Sequence, residues 1–195
     1  FMGKAILQQE GLPCERYLTE LSPSQVDLIS EYALPVSMNG ADFIARYKGT
    51  SDPLSVIDST RSYPVRASTF HAIHEHFRVM LFREMLQLPV TPKRLFLLGE
   101  LMYEAHNGYS SCGLGTAQTD RLVELAREAG PDRGIYGAKI TGGGSGGTVA
   151  VLGEPGADSV IDEIASKYES ETGLKPYLFT GTSAGAGEYG VSIVE

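Results

Sequence analysis

The sequence predicts an α+β fold, an antiparallel sheet packed with helices. Three observations carry this. First, five glycines occupy positions 142–147 with β-formers on both sides, YGAKIT before and TVAVL after, which reads as strand, glycine loop, strand. Second, several segments place apolar residues at helical spacing between clear start and stop signals. Third, helices and strands alternate around a hairpin, the pattern of an antiparallel sheet covered by helices.

Taken in order, GKAILQQ near the start forms a helical turn, and Gly11-Leu12-Pro13 interrupts it. Ser22-Pro23-Ser24 opens a short helix over about 24–32 that Pro35 ends. ADFIARY at 41–47 fits a second short helix, and 48–62 is rich in turn residues. YPVRAST at 63–69 reads as a strand whose Pro64 suits an edge. From Phe70 to Leu88, Ile73, Phe77, Leu81 and Met85 recur every four residues and predict a helix with one buried face. Thr91-Pro92 is an N-cap followed by an N1 proline. That helix points Leu95, Leu98, Leu101 and Met102 inward and ends near His106-Asn107-Gly108. Another runs from Thr116 to Gly130-Pro131, and a last one spans about 157–172, closed by Gly173. YLFTGT at 177–182 reads as a strand, and AGAGEYGVSIV turns back as a final one.

Composition narrows the function classes. A length of 195 residues suits one domain, or one with a small extension, and 42% hydrophobic residues can supply a core. The net charge of −8, without a Lys/Arg block, speaks against nucleic acid as a partner. No apolar run approaches the roughly 18 residues of a membrane span. Cys14 and Cys112 lack paired spacing, which fits reduced thiols in the cytoplasm. The Phe1-Met2 opening suggests a segment cut from a longer polypeptide.

Ordered glycines are costly, roughly 0.5–1 kcal/mol each against alanine, so five in one loop ask for a reason. A hairpin turn alone would need two or three. The favoured reading is a loop that faces a ligand, most often an oxyanion. Its candidate binding residues are Gly142, Gly143, Gly144, Ser145, Gly146 and Gly147, with Lys139 and Thr141 sharing one strand face beside them. Lys139 reads equally well as a solvated charge.

Several motifs match only as strings. Gly142-x-Gly144-x-x-Gly147 satisfies the dinucleotide fingerprint, but β-branched TVAV follows where a helix is required. The loop also lacks the Gly-Lys-Ser/Thr of a Walker A site. Ser145 and Ser183 each sit in G-x-S-x-G, yet neither leads into a helix and every His precedes both. His71, His74 and Glu75 share a helical face, but HExxH would need His where Arg78 stands, and a Glu75–Arg78 pair at i, i+3 is the better reading. The segment Ser110–Gly115 is a polar loop in which Cys112 has no His–Asp arrangement beside it.

YGAKITGGGSGGTVAVL resembles the third motif of the GHMP small-molecule kinases in its galactokinase form. Two further blocks are similar to that family. VRASTFHAIHEHFRV matches at Arg66, Ala67, His71, Glu75, Arg78 and Val79; LGELMYEAHNGYSSCGLGTAQTDRLVELA matches at His106, Cys112, Asp120 and Leu122. Gly108 departs from the pattern, where the family usually has Ser. MGKAI, ALPVSMNGADFIARY, GYSSCGLGT and TGTSAGAGEYG extend the likeness, within the galactokinase and L-arabinokinase branch, from about Met2 to Gly190.

The resemblance implies that residues 1–195 are a ferredoxin-like GHMP kinase C-terminal domain, with 1–62 as a connecting or peripheral segment. It implies a sugar-1-kinase of L-arabinose or galactose type that moves the ATP γ-phosphoryl group to an anomeric hydroxyl. No P-x-G-L-x-S-S string occurs. The partners expected are therefore an N-terminal GHMP domain of the same polypeptide, which would hold ATP and Mg²⁺ in the main, and a monosaccharide. Alone, the chain is expected to be inactive, and no catalytic residue or metal ligand is assigned within it. The alternative is a non-catalytic galactokinase-like sensor that binds sugar and ATP and engages a protein partner.

Overall fold

The computed structural model describes residues 1–142, 147–181 and 188, apart from the side chains of residues 29–31. In order these form α1 (Met2–Gln9), a 3-10 turn at Leu18–Glu20, α2 (Pro23–Ala33), β1 (Met38–Asn39), α3 (Gly40–Tyr47), β2 (Ser62–Tyr63), α4 (Val65–Leu86) and α5 (Pro92–Ser111). Then come α6 (Ala117–Ala129), a 3-10 turn at Pro131–Arg133, β3 (Ile135–Ile140), β4 (Val149–Gly153) and α7 (Asp158–Thr172). The fold is α+β, with helices set against small antiparallel sheets.

Two apolar clusters organise it. Residues from α1, α2, α3 and the first turns of α4 bury Ile6, Leu7, Val26, Leu34, Phe43, Val65 and Ile73 together. The other cluster gathers Tyr103, Val123, Ala126, Ile135 and Ala138 from α5, α6 and β3, with Val160, Ile161 and Ile164 of α7 packed against it. α6 is held to α7 at the surface by Arg121, whose Nε donates to Glu171 Oε2 at 2.7 Å.

Local start signals act as the sequence predicts. The Thr91 hydroxyl accepts from the Arg94 amide at 3.2 Å, and Pro92 occupies the first turn of α5. Thr116 and Thr119 exchange hydrogen bonds at the start of α6, a capping box with Thr at its third position. Gly173 closes α7 in the left-handed region at φ 73°.

The hairpin forms as expected. β3 and β4 pair antiparallel, with Ala138 opposite Val151 and Ile140 opposite Val149, and a bulge falls between Ile135 and Gly137. Helix α5 lies directly on β3. A Cβ on Gly99 would run into the Tyr136 carbonyl, and one on Gly137 would sit 2.5 Å from the Gly99 Cα. Two glycines let helix and strand backbones touch.

Three expectations fail. The strand over 63–69 survives only as Ser62–Tyr63, and α4 starts at Val65. Burying Val65 and Thr69, four residues apart, on the N-terminal cluster outweighs their β propensity, and the Thr69 hydroxyl donates to the Val65 carbonyl at 2.6 Å. The apolar row on α4 is buried only at Ile73. Phe77 is 42% and Leu81 38% exposed, because the helix projects beyond its supporting cluster. No strand spans 177–181. Tyr177 and Phe179 set their rings edge to face at 4.7 Å, and no strand among the described residues supplies them with a ladder. Residues 182–187 and 189–195, where the last strand is expected, lie outside the described residues. α5 also runs one turn past its expected end, to Ser111.

The Gly99–Gly137 contact generates a prediction. Gly99→Ala should gain about 1 kcal/mol of helix propensity yet lose about 2–3 kcal/mol net, because the methyl group meets rigid backbone rather than a side chain. Urea denaturation would measure this, and a raised midpoint would show that the helix does not rest on the strand there.

Candidate functional site

The strand pairing of β3 and β4 runs to the foot of the glycine loop. The Thr141 amide donates to the Thr148 carbonyl at 3.0 Å, closing the hairpin below the loop. Gly142 and Gly147 then turn into the left-handed region, at φ 56° and 69°, where a side chain is strained. Among the described residues, nothing lies within 4 Å of the point where a Cβ would stand on either glycine. Their conformation demands glycine. Gly143, Gly144, Ser145 and Gly146 lie outside the described residues.

A cleft of about 460 Å³ opens between α4, α5 and the hairpin, and Gly142 forms part of its rim. Most of its wall is apolar, with Phe82 of α4, Met102 of α5 and Ile140 of β3. One patch is charged. Lys139 Nζ donates to Glu75 Oε1 at 3.0 Å, and Arg78 Nε donates to Glu75 Oε2 at 3.0 Å. The Glu75–Arg78 pair forms at the i, i+3 spacing read from the sequence. Lys139, for which solvation was the competing reading, is paired. Its ammonium also stands 5.1 Å from the centre of the Tyr109 ring. That ring meets His71 edge-on at 4.5 Å.

These contacts set the charge state. Burial alone would push the Glu75 carboxyl up, but the hydrogen bonds from Lys139 and Arg78 outweigh it and hold the group below the usual carboxylate range. The trio therefore carries one net positive charge at the foot of the loop.

A second polar pair lies deeper. His106 is buried, with Nε2 3.2 Å from Asp120 Oδ1, linking α5 to α6. Burial pushes the His106 imidazole down, against the opposing pull of Asp120. His71 is also pushed down by burial, with Glu75 pulling the other way. Among the described residues, the buried Nδ1 atoms of both histidines have no hydrogen-bond partner. Gly108 explains the closeness around His71: a Cβ there would sit 2.8 Å from His71 Nδ1 and 3.1 Å from Arg78 Nη2. The departure from Ser at this position leaves room for that approach.

Cys112 stands apart from this chemistry. Its thiol lies 3.7 Å from the Ala67 carbonyl, and burial raises its pKa, which opposes a nucleophilic role. Among the described residues, no group of three or more His, Cys, Asp or Glu side chains is arranged to hold a metal. Nor is any helix among them long and apolar enough to cross a membrane.

Sequence reasoning placed the loop, Lys139 and the Glu75–Arg78 pair. It missed Tyr109 as the ring beneath Lys139, since a tyrosine near a helix end carries no signal for a partner 30 residues away in the chain.

Residues 83–170 match the family model "GHMP kinases C terminal". Over 182 residues the chain is 43% identical to an L-arabinokinase of Arabidopsis thaliana, covering 89% of this chain and 18% of that protein. It is 34% identical over 143 residues to a galactokinase of Pasteurella multocida (strain Pm70), covering 72% of this chain and 34% of that protein. Against a galactokinase of Clostridium beijerinckii the identity is 29% over 136 residues, 67% of this chain and 32% of that one. The chain thus spans between 18% and 34% of these relatives. In fold it is similar to Lactococcus lactis galactokinase, solved in complex with galactose. The TM-score is 0.59 at 20% identity, covering 89% of this chain and 37% of that one.

The two depressed histidines predict acid sensitivity. A folded-state pKa below the unfolded value, about 6.5, means that the unfolded chain binds more protons. The stability they provide is complete above that value and is lost as pH falls below it, through the folded-state pKa. The urea midpoint should drop between about pH 7.5 and 5.5, and His106→Asn should flatten that drop. A midpoint that holds steady or rises on acidification would count against this.

Proposed function

For a chain whose residues 83–170 are a GHMP kinase C-terminal domain, we propose a place as the C-terminal part of an ATP-dependent sugar-1-kinase of L-arabinose or galactose type. The carrying observation is the glycine loop itself. Its two described ends adopt a conformation reserved for glycine, Gly142 borders the cleft, and no described residue crowds the backbone at either end. The 43% identity to an L-arabinokinase supports the same reading.

In this proposal the backbone amides of Gly142, Gly143, Gly144, Ser145, Gly146 and Gly147 form part of the wall over the phosphates and the sugar. Absent side chains let that wall approach closely. The cationic edge of Lys139 and Arg78 suits an anionic neighbour, and so fits a nucleotide triphosphate. ATP would supply the γ-phosphoryl group, with Mg²⁺ neutralising charge on the phosphates. The chain's own residues orient and shield, since phosphoryl transfer is mainly positioning and electrostatic stabilisation.

An N-terminal GHMP domain of the same polypeptide would hold most of ATP and Mg²⁺, and this chain alone would be inactive. The distal half of α4 supports a docking partner of that kind: Phe77, Val79, Met80, Leu81 and Leu86 are exposed, with Phe96 and Leu97 of α5. The two free thiols, Cys14 and Cys112, suit the cytoplasm.

ADP release by the polypeptide with its upstream sequence restored tests the proposal, against L-arabinose, galactose and glucuronate. Turnover with one sugar is expected. ATP binding without turnover on any would favour the sensor reading. Gly144→Val or Gly146→Val should abolish turnover and leave the protein folded; normal activity in either would remove the loop from the site.

A further inference from the structure

We propose that Glu75 is a positioning residue for the glycine loop: its carboxylate, gripping Lys139, fixes the end of β3 against α4 and so sets the direction in which the loop leaves the strand. The inference rests on the kinase reading for its consequence in catalysis, though not for the tie itself.

β3 is held near its start by the backbone contact between Gly99 and Gly137. Beyond Gly137, the strand continues through Lys139 to Ile140 and then to the left-handed turn at Gly142. The ladder with β4 fixes the two strands relative to each other, and the buried Ile140 seats the strand end against α5 and α6. The Lys139–Glu75 contact is what ties that end to α4. Lys139 lies three residues before Gly142, and Glu75 reaches it from α4 in the wall of the same cleft. Through the Tyr109 ring the same ammonium also touches α5. Three elements meet at one charge, one turn of chain from the loop.

Glu75 is suited to this by its two oxygens, each taken by a different cation. Its side chain and that of Arg78 are each 14% exposed and that of Lys139 24%, so the trio is largely shielded from solvent. Without the carboxylate, two like charges would face one another beside an apolar wall, and the strand end would swing away from α4. Arg78 makes the arrangement directional. With one oxygen held by Arg78 on its own helix, the Glu75 carboxylate presents the other to Lys139.

Glu75→Gln keeps the shape and removes the charge. In the chain as it stands, hydrogen exchange should rise about tenfold at the amides of residues 139–150 and stay unchanged in α6. In the longer polypeptide, the same variant should lower kcat/KM for ATP by about ten- to a hundredfold, with the sugar KM within about twofold. Moving the carboxylate to the strand, as E75K with K139E, places it opposite both cations on α4 and should restore kcat/KM to within about threefold of the parent. A purely local loss of stability would not be rescued by this exchange. Unchanged exchange at 139–150 in Glu75→Gln overturns the tie. A folded E75K/K139E protein that stays as impaired as E75Q overturns the positioning role. If the parent polypeptide turns over no sugar, the kinase reading falls, while the exchange measurement still decides the tie.

Discussion

The backbone contact between Gly99 and Gly137 is the constraint on which the site depends. Helices ordinarily stand off a strand by the depth of their side chains; here neither partner has one. On either side of this point, other residues of α5 also meet the strand. Tyr103 enters the cluster with Ile135 and Ala138, and Tyr109 reaches Lys139 near the strand end. Raising the helix by one methyl group would shift every later contact, including those beside the loop.

The second feature is how charge is handled in a half-buried place. Glu75 divides its oxygens between Lys139 and Arg78, so no member of the trio is stranded in the apolar wall. His106 solves the same problem differently: burial favours its neutral form, while Asp120 opposes that bias from 3.2 Å away. One group stays charged because its partners are fixed and hydrogen-bonded. The other is driven towards neutrality because desolvation dominates. The first joins α4 to β3, and the second joins α5 to α6.

The outer half of α4 follows another logic. It is apolar around much of its circumference, yet Phe77, Val79, Met80 and Leu81 stand exposed. A helix of this kind is normally buried on more than one side. The chain spans between 18% and 34% of the curated relatives described above, and in the function proposed here a further domain would cover this surface.

What the sequence determined by itself is the set of decisions made within a few residues. The Thr91-Pro92 start, the Thr116–Thr119 box and the Gly173 stop depend on groups three or four residues apart, and the hairpin pairs two segments joined by one short loop; all are readable in the chain. The Glu75–Arg78 pair was legible from its i, i+3 spacing, and the family blocks added His106 as a position without its contact. Tertiary structure decided the rest. Residues 65–69 have β propensity, but the chain folds there as a helix that buries Val65 and Thr69 beside α1 and its neighbours. The row of apolar residues on α4 promised one buried face, while the neighbouring elements cover only its first turns. Lys139 found Glu75 across 64 residues of sequence. Local hydrogen bonds are specified by neighbours that the sequence prints side by side; burial and ion pairing depend on surfaces that exist only once distant segments have come together.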